Sequence, residues 1–306
     1  MTGPGTDVPI LLIAFNRPEP TAVVFEAIRR ARPARLFVAV DGPRDRPGES
    51  AACEQVRAIV TDVDWPCEVR TLFHEDNLGC RYGVQAAIDW FFDQVDAGVV
   101  LEDDCVPDPT FLAFAAALLE RYRDDERVMS ISGGYFAGDG YDYSSSYYFT
   151  RYTHIWGWAS WRRAWQHFDP AIADWPERRA GRRLDSVHRD ADFRRYWTDV
   201  FDRVHADQID TWDYSWQYAV WREGGLVAIP TRNLITNIGF GEDETHTVDG
   251  SAWQSRLPTM PMEFPLVHPR SVVDDEARDA WTERFLFGTK RASLARRVAG
   301  RLRALR

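Results

Sequence analysis

Apolar and polar positions over the first 133 residues alternate in blocks. Ile10 to Phe15 is an unbroken apolar run and reads as a strand buried on both faces. Asn16-Arg17-Pro18 ends it, and Val23, Val24, Phe25 and Ile28 follow at helical spacing. Leu36 to Val40 predicts a second strand, closed by Asp41-Gly42-Pro43, and Ser50 to Val60 a helix. Glu68 to Phe73 predicts a third strand before the polar turn His74-Glu75-Asp76-Asn77-Leu78-Gly79. Arg81 to Phe92 is amphipathic, with Val84, Ala87, Ile88 and Phe91 on one side. Val99-Val100-Leu101 is a short buried-strand pattern that runs directly into Glu102-Asp103-Asp104. Thr110 to Arg123 then reads as a helix, with Asp108 as its N-cap and Pro109 as its first residue. Met129 to Ser132 predicts one more strand. Strands alternating with helices predict an α/β fold, with a mostly parallel central sheet flanked by helices.

After residue 133 the pattern changes. Gly133 to Ser146 is rich in Gly, Tyr and Ser, Tyr147 to Tyr152 alternates weakly as a strand would, and His154 to Trp161 is dense in aromatics. Asp192 to Ala206 predicts a charged helix, and Asp210-Thr211-Trp212-Asp213 opens another that Gly224-Gly225 stops. Leu226 to Pro230 and Asn233 to Asn237 predict short strands, and residues 239–256 a mobile loop.

Composition is that of an ordinary globular chain: 306 residues, 45% hydrophobic and 27% charged. The net charge of −10 is uneven, because residues 290–306 carry Lys290 and six arginines and no acid. The acidic body argues against nucleic acid as a partner. The tail predicts a basic amphipathic helix, either solvated or in peripheral contact with anionic lipid. Cys53, Cys67, Cys80 and Cys105 match no zinc or redox spacing, which predicts free thiols in a reducing compartment. The first residues lack a basic region followed by an apolar run, so no signal peptide is expected and the cytoplasm, or the inner face of its membrane, is the expected location. Arginine so outnumbers lysine that a GC-rich bacterial genome is expected.

Polar clusters follow several strands: Asn16-Arg17, Asp41, the Asn77 turn and the three acids. In open α/β sheets ligands bind beyond the carboxyl ends of the strands, and all four clusters fall there. Three adjacent carboxylates repel one another. A hard cation, Mn2+ or Mg2+, relieves that repulsion and leaves positions for substrate phosphates. The alternative is a solvated acidic loop.

From residue 8 to 247 the order of these motifs resembles the GT-A fold nucleotide-sugar glycosyltransferases, most of all the N-acetylglucosaminyltransferase I family and its bacterial glycosyltransferase-2-like relatives. The resemblance rests on Arg17, Asp41, Glu102-Asp103-Asp104, Tyr148-Phe149-Thr150-Arg151 leading into Trp156-Gly157-Trp158, Trp212-Asp213, and Asn237-Ile238-Gly239-Phe240-Gly241. It implies a nucleotide-sugar-binding part over residues 8–133, an acceptor-binding and catalytic part over 134–288, and the basic tail from 289. It implies that Asp104 ligates the metal and that Glu102 and Asp103 contact the ribose or its neighbours. Asp213 becomes the general base; a helix N-cap is its alternative. Asp41 would accept from a base nitrogen or simply form its turn. Arg17 and Arg81 are phosphate, base or sugar contacts, with surface ion pairing as the alternative for Arg17. His246 is a metal or phosphate ligand, or a solvated loop residue. His154, Trp156 and Trp158 would form an acceptor platform, or the tryptophans pack in the core. The activity implied is inverting transfer from a nucleotide diphosphate sugar, a uridine donor first, to a hydroxyl on a glycan, glycolipid or natural product. A sugar nucleotidyltransferase and a non-catalytic carbohydrate-binding protein remain the alternatives.

Overall fold

The computed structural model describes residues 7–136, 143–188, 190–239 and 257–287. In chain order the first half contains β1 (Ile10–Ala14), α1 (Pro18–Ala31), β2 (Arg35–Val40), α2 (Glu49–Thr61), β3 (Glu68–Phe73), α3 (Gly79–Phe92), β4 (Ala97–Glu102), β5 (Cys105–Pro107), α4 (Phe111–Arg121) and β6 (Val128–Ser132). The second half contains β7 (Tyr147–Thr150), β8 (Trp158–Trp161), α5 (Arg162–Trp165), α6 (Trp175–Ala180), α7 (Leu184–Val187), α8 (Ala191–His205), α9 (Asp213–Arg222), β9 (Leu226–Pro230), β10 (Ile235–Asn237) and α10 (Glu276–Phe285).

One sheet runs through both halves in the order β3-β2-β1-β4-β8-β6-β9-β7, and β5 pairs with β10 in a separate ladder. The expected parallel arrangement holds from β3 to β4. Beyond β4 the sheet is mixed, because β8 runs antiparallel to both β4 and β6 and β7 antiparallel to β9. The pattern of Trp158-Ala159-Ser160-Trp161 reads as an aromatic cluster, yet all four residues are buried and form a central strand. Helix α4 also starts later than its sequence predicts. Cys105–Pro107 first pairs with Ile235–Asn237, so Thr110 rather than Asp108 becomes the N-cap. Asp108 Oδ1 instead accepts from Thr110 N at 2.8 Å, an Asx turn ahead of the helix.

The sheet separates two cores. On β1, Ile10, Leu12 and Ala14 face one, with Val24, Phe25 and Val56 from α1 and α2, while Leu11 and Ile13 face the other. That double burial is why the run shows no polar alternation. The second core is aromatic: Trp158, Trp165, Trp175, Trp197, Trp212, Trp216 and Trp221 pack together there. Most tryptophans therefore serve packing. Among the described residues, no helix is long and apolar enough to cross a membrane.

Candidate active site

β1 is flanked by β2 on one side and β4 on the other, and the chain reverses its direction of winding between β1 and β4. A crevice opens beyond the carboxyl ends of two such strands. Arg17 leaves β1 there, held in extended backbone by the following Pro18. Glu102-Asp103-Asp104 leaves β4 at the same place. Arg17 Nη2 donates to Asp104 Oδ2 at 2.9 Å and pairs with Asp103, whose carboxylate also accepts from the Phe15 backbone. Burial and the neighbouring acids push Glu102 well above the usual carboxylate range. Burial raises Asp103 too, against the pull of Arg17. Burial works to lower Arg17, and the charges of Asp103 and Asp104 outweigh it, so the guanidinium stays charged.

The β5–β10 ladder fits a second chain segment against Asp104. Ile238 N donates to the Asp104 backbone at 2.9 Å, and Asn237 Nδ2 lies 3.4 Å from Asp104 Oδ1. Gly239 comes so close that a Cβ there would sit 2.1 Å from Asp104 Oδ2. Any side chain there would collide with the oxygen that Arg17 holds. Among the described residues no three His, Cys, Asp or Glu side chains gather into a closed metal cage. Mg2+-type sites do not need one, since they take one or two carboxylates and complete their shell with water and substrate phosphates. Asp104 would offer a cation of that kind one carboxylate, in exchange for its contact with Arg17.

Asp213 is the first residue of α9, and Trp212 supplies the N-cap position. Its Oδ1 accepts from Thr211 Oγ1 at 2.5 Å and from Tyr214 N at 2.9 Å. Trp212 is buried and stacks on Trp158 with ring centroids 5.7 Å apart, which fixes the helix start. Arg17, Asp41, the three acids, Trp156, Asp213 and Gly239 all line one cleft of about 1530 Å³.

Other sequence-predicted residues lie differently. Asp41 lines the cleft, but both its oxygens are taken: Gly42 N and Leu78 N reach Oδ1, each at 2.9 Å, and Asn77 Nδ2 and Gly79 N reach Oδ2 at 2.9 and 3.1 Å. It ties the Asn77 turn to the end of β2. Arg81 is buried away from the cleft, pairing with Asp207 and the Pro170 carbonyl, so it forms a structural pair rather than a phosphate contact. Trp158 is core, and it seats Trp212 instead of meeting an acceptor. His154 is buried beside Phe136, and burial pushes its ring down to about 4, so it stays neutral. Of the expected platform, Trp156 alone lines the cleft. His246 and the basic tail lie outside the described residues. Sequence reasoning missed Tyr196, whose hydroxyl pairs with that of Tyr214 beside Asp213, and the contact of Asn237 with Asp104. Tyr196 sits eighteen residues from its partner on a different helix, and nothing local marks it.

No family model matches the sequence, and no curated protein is significantly similar to it. Partial likeness to many solved structures is found, and three of them illustrate it. They are the mannosyltransferase PcManGT from Pyrobaculum calidifontis in complex with GDP-Man and Mn2+ (15% identity, 53% of this chain and 46% of that one, TM-score 0.35), TarS residues 1–349 from S. aureus (11%, 53% and 48%, 0.34), and HddC from Yersinia pseudotuberculosis (9%, 51% and 77%, 0.32). The chain spans about half the length of the first two. Likeness this distant assigns neither substrate nor activity.

Proposed function

We propose that the chain is a metal-dependent, inverting glycosyltransferase. It would transfer a sugar from a nucleotide diphosphate donor, uridine-linked in the first instance, to an acceptor hydroxyl on a glycan, glycolipid or natural product. One observation carries this reading: Asp213 and the Arg17–Asp103–Asp104 corner open onto a single cleft of about 1530 Å³. Small-molecule sites run to roughly 300–1,000 Å³, so this cleft has room for donor and acceptor together.

In this reading Asp104 would hold a divalent cation, whose chemistry there would be Lewis-acid support of the leaving diphosphate. Asp213 takes the proton of the acceptor hydroxyl as that oxygen attacks the anomeric carbon. Its carboxylate is pinned by Thr211 and Tyr214 N, so its direction is set before substrate arrives. Trp156 offers an aromatic face to a sugar ring. The sugar–phosphate bond breaks as the new glycosidic bond forms, and one displacement inverts the anomeric centre.

Calorimetry with uridine and guanosine diphosphates, in manganese and in EDTA, tests the donor half, and release of nucleotide from their sugar conjugates tests the chemistry. Manganese-dependent binding that vanishes in Asp104→Ala is expected. Binding unchanged by Asp104→Ala would overturn the reading. So would glycan binding with no nucleotide binding, or pyrophosphate release from a nucleoside triphosphate and a sugar phosphate.

A further inference from the structure

α8 turns one face to the cleft that holds Asp213. Tyr196, Asp199, Val200 and Arg203 line it from there, at the i, i+3, i+4 and i+7 spacing of a helical stripe. Val200 is buried, and Tyr196 packs edge-on against Trp197 with ring centroids 5.4 Å apart. Asp199 and Arg203 are the exposed members. The charges of Arg203 and Asp213 both reach the Tyr196 and Tyr214 hydroxyls, so the guanidinium stands at the Asp213 end of the cleft.

Asp199 and Arg203 are one turn apart, the spacing at which opposite charges on a helix meet. Glu26 with Arg30 and Asp174 with Arg178 close into ion pairs at that spacing. Asp199 and Arg203 stay open: among the described residues neither side chain has a hydrogen-bond or ion-pair partner. The wall therefore presents a guanidinium, which only donates, and a carboxylate, which only accepts, both uncommitted. A hydroxyl does both. Neighbouring hydroxyls of one sugar ring can accept from Arg203 and donate to Asp199 together. An anionic ligand meets Asp199, with Asp210 and Asp213 on the same wall, and an ammonium group meets Arg203. The pair suits a neutral polyol better than either ion. About 6 Å of helical rise separates the two positions, comparable to one pyranose ring, and Tyr196 and Trp156 supply aromatic faces beside them.

We propose that this face of α8 is a subsite for the acceptor sugar adjoining the one that reacts, with Arg203 donating to its hydroxyls and Asp199 accepting from them; the assignment to the acceptor rests on the transferase reading. Asp213 meets the reacting hydroxyl from α9, so groups on α8 meet the next ring. The acceptor narrows to a glycan that carries a neutral sugar beside the reacting one. Arg17 cannot share this task, because Asp103 and Asp104 already hold it at the other end of the cleft.

The test is binding of the labelled full chain, in EDTA and without nucleotide, to an array of immobilised neutral mono- and oligosaccharides and their uronate-, sulfate- and amine-bearing counterparts. Neutral di- or oligosaccharides are expected to bind, and the matching monosaccharides and charged counterparts at least tenfold more weakly. Arg203→Met and Asp199→Ala should each weaken that binding at least tenfold at an unchanged melting temperature, since both side chains are exposed and unpaired. Binding to no member of the array, affinities in both variants within twofold of wild type, or tighter binding of a charged counterpart would overturn the proposal. Manganese-dependent nucleoside diphosphate binding reads the donor corner separately. Its absence, with glycan binding intact and sensitive to both variants, would sink the donor reading and leave the sugar subsite standing. Its presence without glycan binding would sink the subsite alone.

Discussion

Replacing Arg17 by methionine, which keeps an unbranched stem of similar length and removes the charge, isolates the acidic corner. Asp103 and Asp104 have side chains only 5% and 14% exposed, and Arg17 is their cationic partner in the ion pairs at that corner. Removing one partner of a buried pair costs roughly 3–5 kcal/mol. Arg17 itself is 30% exposed, so water reaches the vacated space, and about 2–3 kcal/mol is the better expectation. With about 2.1 cal/mol/K of unfolding entropy per residue, a domain of this length should melt about 4 °C lower. Manganese should then discriminate between the two proteins. In wild type the cation competes with a guanidinium for Asp104 Oδ2; in Arg17→Met it does not, so added manganese should recover most of the lost melting temperature. Thermal melts of both proteins in EDTA and in excess manganese read both effects. A variant that melts with wild type would show that the carboxylates do not depend on the arginine. Equal stabilisation of both proteins by manganese would place the cation somewhere other than Asp104.

Three further outcomes are expected. Asp213→Asn should lower transfer roughly 10²–10⁴-fold while nucleotide affinity and melting temperature stay near wild type, measured by steady-state kinetics and calorimetry on the same preparation. Gly239→Ala should fold normally yet lose manganese-dependent nucleotide binding at least tenfold, since its methyl group would press on Asp104 Oδ2. Asp279 is fully buried in α10, and burial raises its pKa from 3.8 to about 6 despite the pairing with Arg151. Between those values the native chain holds a proton that the unfolded chain has released, so stability falls as pH rises from about 4 through about 6, by roughly 3 kcal/mol. Asp279→Asn should flatten that slope in urea titrations across the same range.

The strands that carry the site were legible because each is buried on both faces and therefore written as an unbroken apolar run: Ile10 to Ala14, Leu36 to Val40, Val99 to Leu101. Residues directly after such runs fall at the sheet edge by geometry alone, which is how Arg17 and the three acids could be grouped. Long-range contacts were not legible. Asp41 reads equally well as a base contact or a turn former, and only the amides of Leu78 and Gly79 show that its oxygens are engaged. Arg81 follows a polar turn, yet its guanidinium turns inward to Asp207, which is 126 residues away.

The seating of Trp212 on Trp158 has a wider consequence. Val100, two residues before Glu102, is in register with Trp158 on β8, and Trp158 carries Trp212, next to Asp213. If Asp104 and Asp213 take the roles proposed for them, the indole would act as a gauge block between them, setting their separation through rigid sheet and ring instead of through a loop. In that case the outer helices could vary without resetting the spacing, whereas a smaller side chain at position 158 would detune both ends at once.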